Sequence, residues 1–301
     1  MNIFSVLILG LTFAVGYGSN CRDLSGVWQN QLGSNMTIAH LSENHITGEY
    51  STAVESSQRA ALITSNITGQ FVPVSEGALL SFTVLFNHGK SLTTWVGQCM
   101  VCNDEETLFT SWVLRGHTSK LSDKWMVNTI NQDTFKRVQS NYITIPDHLR
   151  TMGPKPKDAK STSCEKHLKV SMNGQWLSGS GDSLKFDDCR ESGVFSGVNR
   201  GTPLMGRKDG GGAFTALGLV SASEDSIKGW AGHIYESSLE RNRILETSWL
   251  KHSFSNMCKE PRASVQFGMG NYTFVYGYKD TEVKPQPDWT KRAMNYLFSF
   301  F

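Results

Sequence analysis

The sequence predicts an all-β protein built from two tandem eight-stranded antiparallel barrels. Short runs of alternating apolar and polar residues fill both halves of the chain, no helical stretch separates them, and landmarks of the first half recur in the second. Alternation with a period of two, ended by Gly, Asn, Asp or Ser, is typical of strands joined by hairpin turns. About eight such runs in a row favour a meander that closes into a barrel and so has no open edges. Periodicity alone leaves a β-sandwich as the alternative.

The strand-like runs of the first half follow one another in order. They are SGVWQNQ, SNMTIAHL, HITGEYSTAV, ALLSFTVLF, SLTTWVGQCMV, TLFTSWVLR and DKWMVNTINQDTFKRV. Residues two apart in a strand face the same side of a sheet. The alternation therefore predicts strands whose two faces lie in different surroundings.

An internal repeat relates the two halves. The triplet ending at Trp28 matches the one ending at Trp176, TTWVGQ matches KGWAGH, and the run FTSWVLR around Trp112 matches LETSWLKH around Trp249. The offset is 148 residues at the first pair of tryptophans and 137 at the second. The second copy has therefore lost roughly a strand's worth of residues in its middle.

The chain of 301 residues is long enough for two domains. A stretch rich in Pro, Lys and Ser interrupts the alternation between the halves and indicates a linker. The predicted segments are a signal peptide at 1–18, a first barrel at 21–140, a linker at 141–163, a second barrel at 164–280 and a C-terminal tail at 281–301. The aromatic residues of the tail fit either a frayed end or a contact surface.

The first 18 residues are apolar, too few to span a bilayer, and end in small residues, which predicts a cleaved signal peptide and secretion. We expect no membrane span. Three N-glycosylation sequons fit the secretory route, at Asn35, Asn66 and Asn271. The formal net charge is only +2, from 29 basic and 27 acidic residues without a basic block, so we expect no nucleic-acid partner.

Six cysteines would be expected to pair in an oxidising compartment, with fifteen possible pairings. Cys99 and Cys102 have the spacing of a zinc or redox pair, but no second Cys pair or His cluster lies near them in sequence. A disulfide is therefore favoured and no metal is assigned. Nor does a Ser-His-Asp set, an HExxH motif or a pair of catalytic carboxylates indicate an enzyme.

The first half, from Cys21 to Val138, resembles the avidin and streptavidin family. The motifs LSGVWQNQLGSNMTI, TGEYSTAV, SFTVLF, SLTTWVGQC, TSWVLR, DKW and QDTFKRV occur in the order of that family. The resemblance implies an up-and-down eight-stranded barrel that binds biotin at one mouth, with no cofactor other than this ligand. An eight-stranded barrel is wide enough to hold one small ligand.

The resemblance also assigns polar roles to residues of this chain. Asn30, Ser34 and Tyr50 stand where the family supplies hydrogen-bond donors to the ureido oxygen of biotin. Asp133 and Thr52 stand where it supplies acceptors to the ureido nitrogens. Several donors are needed because an unpaired polar atom in a dry pocket costs several kcal/mol.

The remaining ligand positions are apolar walls and a polar rim. The bicyclic ring of biotin is apolar on its faces, so aromatic walls stabilise it by burial. The walls are Phe86, Trp95 and Trp112, and the gaps between them are filled by Leu32, Val54 and Leu114. Thr93 would face the ring sulfur, and Ser91 with the loop after Val54 would meet the valerate carboxylate. Phe86 departs from the family, which more often has Trp there.

Trp125 matches the tryptophan that in this family reaches into a neighbouring subunit's site, which implies a homo-oligomer. Trp28, by contrast, is expected to plug the closed end of the barrel. The aromatic residues of one barrel are thus predicted to serve three purposes: ligand wall, partner contact and core.

The second half keeps the landmarks but not the ligand residues. The replacements are Ser178 for Asn30, Asp182 for Ser34, Asn199 for Tyr50, Gly201 for Thr52, Lys228 for Thr93 and Tyr272 for Asp133. An Asp facing the ureido oxygen would repel it, and the acceptor for the ureido nitrogens is lost. We therefore predict that this half does not bind biotin tightly.

Cys21 and Cys99 match the disulfide of the avidin family. Cys164 matches Cys21, but Ile234 stands at the partner position, so the second half lacks this bridge. Either Cys102 links the two halves or thiols pair between chains. The cysteines without an assigned partner are Cys102, Cys164, Cys189 and Cys258.

Two functions follow from these patterns. The first is a secreted protein that binds biotin non-covalently in its first barrel and sequesters it. The alternative is an extracellular structural or assembly protein made of the same modules, with weak or no biotin binding.

Overall fold

A computed structural model of the chain describes residues 21–42, 44–54, 64–117, 127–139, 172–189, 193–209, 214–236 and 243–276, in which sixteen β-strands are found. The first eight are β1 (Gly26–Asn30), β2 (Asn35–Ser42), β3 (His45–Ser51), β4 (Ser65–Val74), β5 (Gly77–Phe86), β6 (Ser91–Cys102), β7 (Glu105–Gly116) and β8 (Asn128–Gln139). The next eight are β9 (Gly174–Ser178), β10 (Ser183–Cys189), β11 (Val194–Asn199), β12 (Thr202–Asp209), β13 (Phe214–Ala222), β14 (Ser226–Glu236), β15 (Arg243–Ser253) and β16 (Gln266–Tyr276).

Each set of eight strands forms its own closed barrel. Successive strands pair antiparallel, β1 pairs with both β2 and β8, and β9 pairs with both β10 and β16. Closure leaves no open edge, which is how an up-and-down meander avoids pairing with other chains. The prediction of two tandem eight-stranded antiparallel up-and-down barrels is confirmed, and the β-sandwich alternative is excluded.

Each barrel has its own apolar core with a fully buried tryptophan near its chain start. Trp28 Nε1 donates to the Leu24 carbonyl at 2.9 Å, and Trp176 Nε1 donates to the Met172 carbonyl at 3.1 Å. Both indoles are completely shielded from solvent. The repeated bond satisfies a buried donor in each core, so the second half preserves the internal framework of the first.

The residues missing from the second copy lie in one connection. Residues 52–64 join β3 to β4 in the first barrel, whereas only Arg200 and Gly201 join β11 to β12. That difference equals the change in offset between the two tryptophan pairs. All eight strands are therefore retained, and the deletion shortens a loop at the barrel mouth.

The two barrels pack face to face through β5 and β6 of the first and β13 and β14 of the second. Apolar side chains of both barrels form one shared cluster: Leu79, Leu85, Leu92, Val96, Val113, Ala216, Ile227, Ala231 and Leu250. Thr94 Oγ1 donates to the Trp230 carbonyl across the contact at 3.0 Å. A Cβ on Gly229 would lie 2.4 Å from Thr94 Cγ2, so the backbones meet where one barrel has no side chain.

At the contact between the barrels, matched positions of the repeat meet as they would across a two-fold axis. Thr94 and Gly229 occupy matched positions of the repeat and touch each other. Arg115 Nε donates to His233 Nδ1 at 3.2 Å, and His252 Nε2 donates to Gln98 Oε1 at 3.0 Å. Since His252 matches Arg115 and His233 matches Gln98, the same pair of positions meets twice. This reciprocity is the mark of an isologous interface, here formed within one chain.

Two disulfides join described residues. Cys21 and Cys99 are bonded, with Cα atoms 5.6 Å apart, which confirms the pairing implied by the resemblance. Cys102 and Cys258 are bonded as well, with Cα atoms 5.9 Å apart, so Cys102 does link the two halves. Cys164 lies outside the described residues, and Cys189 lies at the end of β10.

The predicted signal peptide at 1–18, linker at 141–163 and tail at 281–301 also lie outside the described residues, so these boundaries stay predictions. Of the sequon residues, Asn35 and Asn271 are exposed and Asn66 is half-buried. The part of the chain that the structure describes contains no helix with the length and hydropathy required to cross a membrane.

Candidate functional site

A cavity of about 160 Å³ opens at one end of the first barrel. Its lining comes from the ends of β1, β3, β5 and β7, the turn before β2, the beginning of β6 and the first half of β8, which meet at one mouth because neighbouring strands run antiparallel. The structure brings thirteen of the fourteen predicted ligand residues to it: Asn30, Leu32, Ser34, Tyr50, Thr52, Val54, Phe86, Ser91, Thr93, Trp95, Trp112, Leu114 and Asp133. The fourteenth, Trp125, lies outside the described residues.

The turn between β1 and β2 fixes two of the polar groups. Asn30 Oδ1 accepts hydrogen bonds from the backbone N–H of Leu32 at 3.1 Å and of Ser34 at 2.8 Å. Because the amide oxygen is used in this turn, the amide NH₂ of Asn30 is left as its donor group. Ser34 Oγ accepts from the Ala53 N–H at 3.0 Å, which ties the turn to the end of β3. Both residues are buried, so their orientation is set by the backbone.

Tyr50 is the third predicted donor and is only 4% exposed. Burial raises the pKa of its phenol to about 12, with a hydrogen bond from Ser34 acting in the opposite direction and the nearby Asp133 charge adding to the rise. A phenol with this pKa keeps its proton at neutral pH. Tyr50 therefore presents an O–H donor beside Asn30 and Ser34.

Asp133 brings a carboxylate, an acceptor group, into the same cavity. Its side chain is buried, and Oδ2 accepts a hydrogen bond from Trp95 Nε1 at 3.0 Å. Gln31 Nε2 lies 3.5 Å from Oδ1, at the edge of hydrogen-bond distance. The carboxylate is thus oriented by an indole that is itself part of the cavity wall.

Aromatic rings form the walls. Trp95 stacks on Phe82 with ring centroids 4.8 Å apart and lies 5.1 Å from the ring of Tyr50. Phe86 meets Tyr50 edge to face at 6.2 Å. Trp112 Nε1 is buried and has no hydrogen-bond partner among the described residues. The rings hold one another in place, which gives a preformed apolar slot of the kind that small-molecule sites use.

The mouth of the cavity is apolar and open. Leu32 is 55% exposed and Val54 is 53% exposed. Thr52 Oγ1 donates to the Val54 carbonyl at 2.9 Å and accepts from the Val54 N–H at 3.1 Å. The Thr52 hydroxyl is therefore engaged within its own loop. The loop after Val54, which was predicted to meet the valerate carboxylate, lies outside the described residues.

Sequence reasoning missed two residues of this site. Asn87 also lines the cavity and adopts a left-handed conformation in the tight turn after β5, where Asn is a favoured residue. Its position next to Phe86 was the available signal. The second residue, Arg262, comes from the other half of the chain and has no counterpart in the motifs of the first.

Arg262 fastens the strand that carries Asp133. Its Nη2 donates to the Asp133 carbonyl at 2.7 Å and to Thr134 Oγ1 at 2.8 Å, and its Nε donates to the Thr110 carbonyl at 3.1 Å. The guanidinium also packs over the Phe109 ring at 5.3 Å. Arg262 lies in the segment between β15 and β16 that also contains Cys258. Through this arginine, the second half of the chain supports the wall of the first barrel's cavity.

Comparison with known proteins agrees with this geometry. Residues 18–138 match the family model described as Avidin family. Avidin from Gallus gallus is 31% identical over 140 residues, which are 45% of this chain and 91% of avidin. The chain belongs to the avidin family. Outside the avidins, fibropellin-1 from Strongylocentrotus purpuratus is 32% identical over 125 residues, or 42% of this chain. Fibropellin-3 from the same organism is 30% identical over 127 residues, also 42% of this chain.

The matched region makes up very different shares of these relatives' own lengths. The chain spans nearly the full length of avidin, but its match covers only 12% of fibropellin-1 and 22% of fibropellin-3. Avidin-like sequence therefore also occurs as a small part of much longer proteins.

The second avidin-like barrel has a cavity at the corresponding mouth, with about 440 Å³ of space. Trp230 and Trp249 line it where Trp95 and Trp112 line the first. The turn is also retained, since Ser178 Oγ accepts from the Asp182 N–H at 2.8 Å as Asn30 does from Ser34. Of the predicted replacements, the lining includes Ser178, Asp182, Asn199, Lys228 and Tyr272 but not Gly201.

The polar groups of this second cavity bond mainly to one another. Tyr272 Oη donates to Asp182 Oδ2 at 3.0 Å, and burial followed by the Asp182 charge raises the pKa of Tyr272. Asn199 Nδ2 lies 3.4 Å from Asp182 Oδ1. The carboxylate thus occupies the place of a donor in the first barrel and is held by neighbours of its own.

Proposed function

We propose that the first barrel binds biotin non-covalently and that the protein is secreted and sequesters this vitamin. The observation that carries the proposal is the polar end of the cavity, which is lined by Asn30, Ser34 and Tyr50, whose side chains can donate hydrogen bonds, and by the Asp133 carboxylate, which can accept them. A cyclic urea has one oxygen that needs donors and two N–H groups that need acceptors. Its hydrogen-bonding groups therefore complement those of the cavity. The membership of the chain in the avidin family supports this ligand.

The aromatic walls favour the same ligand. Trp95, Trp112 and Phe86 surround the space next to the polar end, and the exposed Leu32 and Val54 stand at its mouth. Burying the apolar ring of biotin there gains about 25 cal/mol per Å². A ligand with a urea at one end and an apolar body behind it would satisfy both parts of the cavity.

Oligomerisation is part of the proposal. Trp125 would cap a neighbouring chain's cavity in a homo-oligomer, as the resemblance implies. Sugars on the exposed Asn35 and Asn271 are compatible with the secretory route. The protein acts in this proposal as a binding protein without catalysis.

The test is a biotin titration followed by tryptophan fluorescence, with variants in both barrels. Asp133→Ala and Tyr50→Phe should each weaken binding by about 1 to 3 kcal/mol, because each leaves a buried polar group of biotin unpaired. Tyr272→Phe makes the same chemical change in the second barrel and should leave the affinity unaltered. Wild-type affinity in both first-barrel variants would refute these residue roles.

An assembly module is the second candidate. Its support is the occurrence of avidin-like sequence in the much longer fibropellins, together with a second barrel that has lost the biotin residues. Under this function the same titration shows no saturable biotin binding by the wild-type chain.

A further inference from the structure

The cavity of the second barrel contains an excess of positive charge. Arg200, Lys228 and Lys251 line it together with a single carboxylate, Asp182. Arg200 Nε lies 2.9 Å from Asp182 Oδ1, and Lys228 Nζ lies 3.8 Å from Oδ2. No described carboxylate pairs with Lys251. Among the described lining residues three bases thus face one carboxylate, and a second carboxylate, Asp225, lies at the rim, where its Oδ1 accepts a hydrogen bond from Ser223 Oγ at 3.2 Å.

Lys228 is held where its ammonium group faces the interior. Nζ lies 4.6 Å from the ring centre of Trp230 and 4.5 Å from that of Trp249, so two indole faces stabilise the cation. Burial lowers the pKa of Lys228, the Asp182 charge raises it, and the charges of Arg200 and Lys251 lower it again. The 3.8 Å separation from Asp182 is longer than a hydrogen bond. The three N–H donors of this ammonium are therefore available to an incoming acceptor.

Hydroxyl groups surround these charges. Ser178 and Ser180 are paired by their Oγ atoms at 2.9 Å, and Ser223 and Ser226 are paired at 2.8 Å. Ser223 lies opposite Ser226 as Phe86 lies opposite Ser91 in the first barrel, so a hydroxyl stands where an aromatic wall would be. One aromatic wall has thus been replaced by hydrogen-bonding groups, while Trp230 and Trp249 remain.

The connection at the mouth is also shorter than in the first barrel. Only Arg200 and Gly201 join β11 to β12, whereas thirteen residues make the corresponding connection at 52–64. A two-residue turn does not extend across the opening. The space of about 440 Å³ is correspondingly larger than the 160 Å³ of the first cavity.

We propose that the second barrel binds a small hydroxylated anion, namely a monosaccharide that carries a carboxylate, sulfate or phosphate group. The anionic group would lie among Lys228, Lys251 and Arg200, and the sugar hydroxyls would exchange hydrogen bonds with the serine rim. Charge-assisted bonds of this kind are about twice as strong as neutral ones. Biotin is not the expected ligand of this cavity, because the Asp182 carboxylate stands where the ureido oxygen needs a donor and Ser223 replaces one of the three aromatic walls.

The test is calorimetric titration of the full chain with its first barrel saturated by biotin. The probes are glucuronate, glucose 6-sulfate and glucose 6-phosphate, with glucose and inorganic phosphate as references. At least one charged sugar should saturate at one site per chain and bind at least about 10-fold more tightly than either reference. Lys251→Leu, which installs the residue of the first barrel, should weaken that binding by about 10-fold or more. Lys259→Leu, an exposed lysine outside the cavity, should not.

Three results would overturn the proposal. They are the absence of saturable binding by all charged sugars, equal binding of glucose or of inorganic phosphate, and equal weakening by Lys251→Leu and Lys259→Leu. All three are read in the second barrel, through the charged sugars and Lys251, so none of them depends on whether the first barrel binds biotin.

Discussion

The two barrels of this chain share a framework and differ in what that framework encloses. Trp28 and Trp176 make the same buried hydrogen bond, and Trp95 and Trp230 stand on matched strands. The first cavity is small, with an apolar body and a polar end, whereas the second is large, charged and lined with hydroxyls. Core residues are constrained by close packing, but residues at the mouth are not. The difference therefore teaches that a barrel can change its ligand chemistry without changing its fold.

The largest effect is expected when a second-barrel residue is placed in the first cavity. Ser34→Asp reproduces Asp182 at a position that is only 1% exposed, and no described residue pairs with it there as Arg200 pairs with Asp182 in the second barrel. The buried charge should repel the ureido oxygen and cost at least about 3 kcal/mol, or more than about 100-fold in the Kd of biotin. Asp182→Ser is the matched control and should not alter biotin binding. Comparable Kd values for Ser34→Asp and wild type would show that the donors are not where we place them.

The interface between the barrels should be sensitive to added volume. A Cβ on Gly218 would lie 1.8 Å from Thr83 Oγ1 of the other barrel, so Gly218→Ala forces the barrels apart. Overpacking of this kind costs about 1 to 3 kcal/mol of unfolding free energy, to be measured by urea denaturation. Gly179→Ala is the control, because a Cβ there meets nothing within 4 Å, and its cost should stay within about 0.5 kcal/mol. Equal costs at the two glycines would argue against the packing described.

Histidines at the same interface predict a dependence of stability on pH. Burial, with the Arg115 charge second, lowers the pKa of His233 to about 3, and burial with the Arg262 charge lowers that of His252 to about 4. Unfolded histidine has a pKa of about 6.5. As the pH falls from about 6.5 toward 4, the unfolded chain binds protons that the folded chain excludes, so stability decreases.

The unfolding free energy should decrease by up to about 1.4 kcal/mol per unit of falling pH for each of the two histidines. His233→Gln and His252→Gln should each flatten the dependence of the unfolding free energy on pH between about 4 and 6.5. His88→Asn, at an exposed turn, should leave the slope unchanged. A slope that persists in both interface variants would assign the acid sensitivity to other groups.

The smallest effect concerns Arg262, the residue by which the second half braces the first cavity. Arg262→Ala removes two bonds to the strand of Asp133 and should weaken biotin binding by about 1 kcal/mol. Arg262→Lys should recover part of the loss, since one donor can still reach the Asp133 carbonyl. Lys259→Ala, in the same segment, is the control. Affinity that is unaffected by Arg262→Ala would limit the role of this arginine to holding the barrels together.

Much of the first barrel could be predicted from sequence because its determinants are local. The alternation of apolar and polar residues in the sequence predicts the strands, and the order of the family motifs predicts the roles of Asn30, Tyr50 and Asp133. Each of these lies on a strand whose register follows from closure of the barrel. The Cys21–Cys99 bond followed from the same order, through the resemblance to a known family.

The contacts that could not be predicted join the two halves. Cys102 bonds to Cys258 across a sequence separation of 156 residues, and Arg262 reaches Asp133 across 129. Such contacts depend on how the barrels dock, and docking is set by a surface whose apolar residues look like any outer strand face. The charged lining of the second cavity was visible only in part, because Arg200 matches no predicted ligand position, and Lys251 matches Leu114, to which only a gap-filling role had been assigned.

The most direct test of the account is the number of biotin molecules bound per chain, measured by isothermal titration calorimetry of the wild-type protein. We predict one, taken up by the first barrel with the second remaining empty of this ligand. Two molecules per chain would contradict the distinction drawn between the cavities, and none would contradict the assignment of the first cavity to biotin.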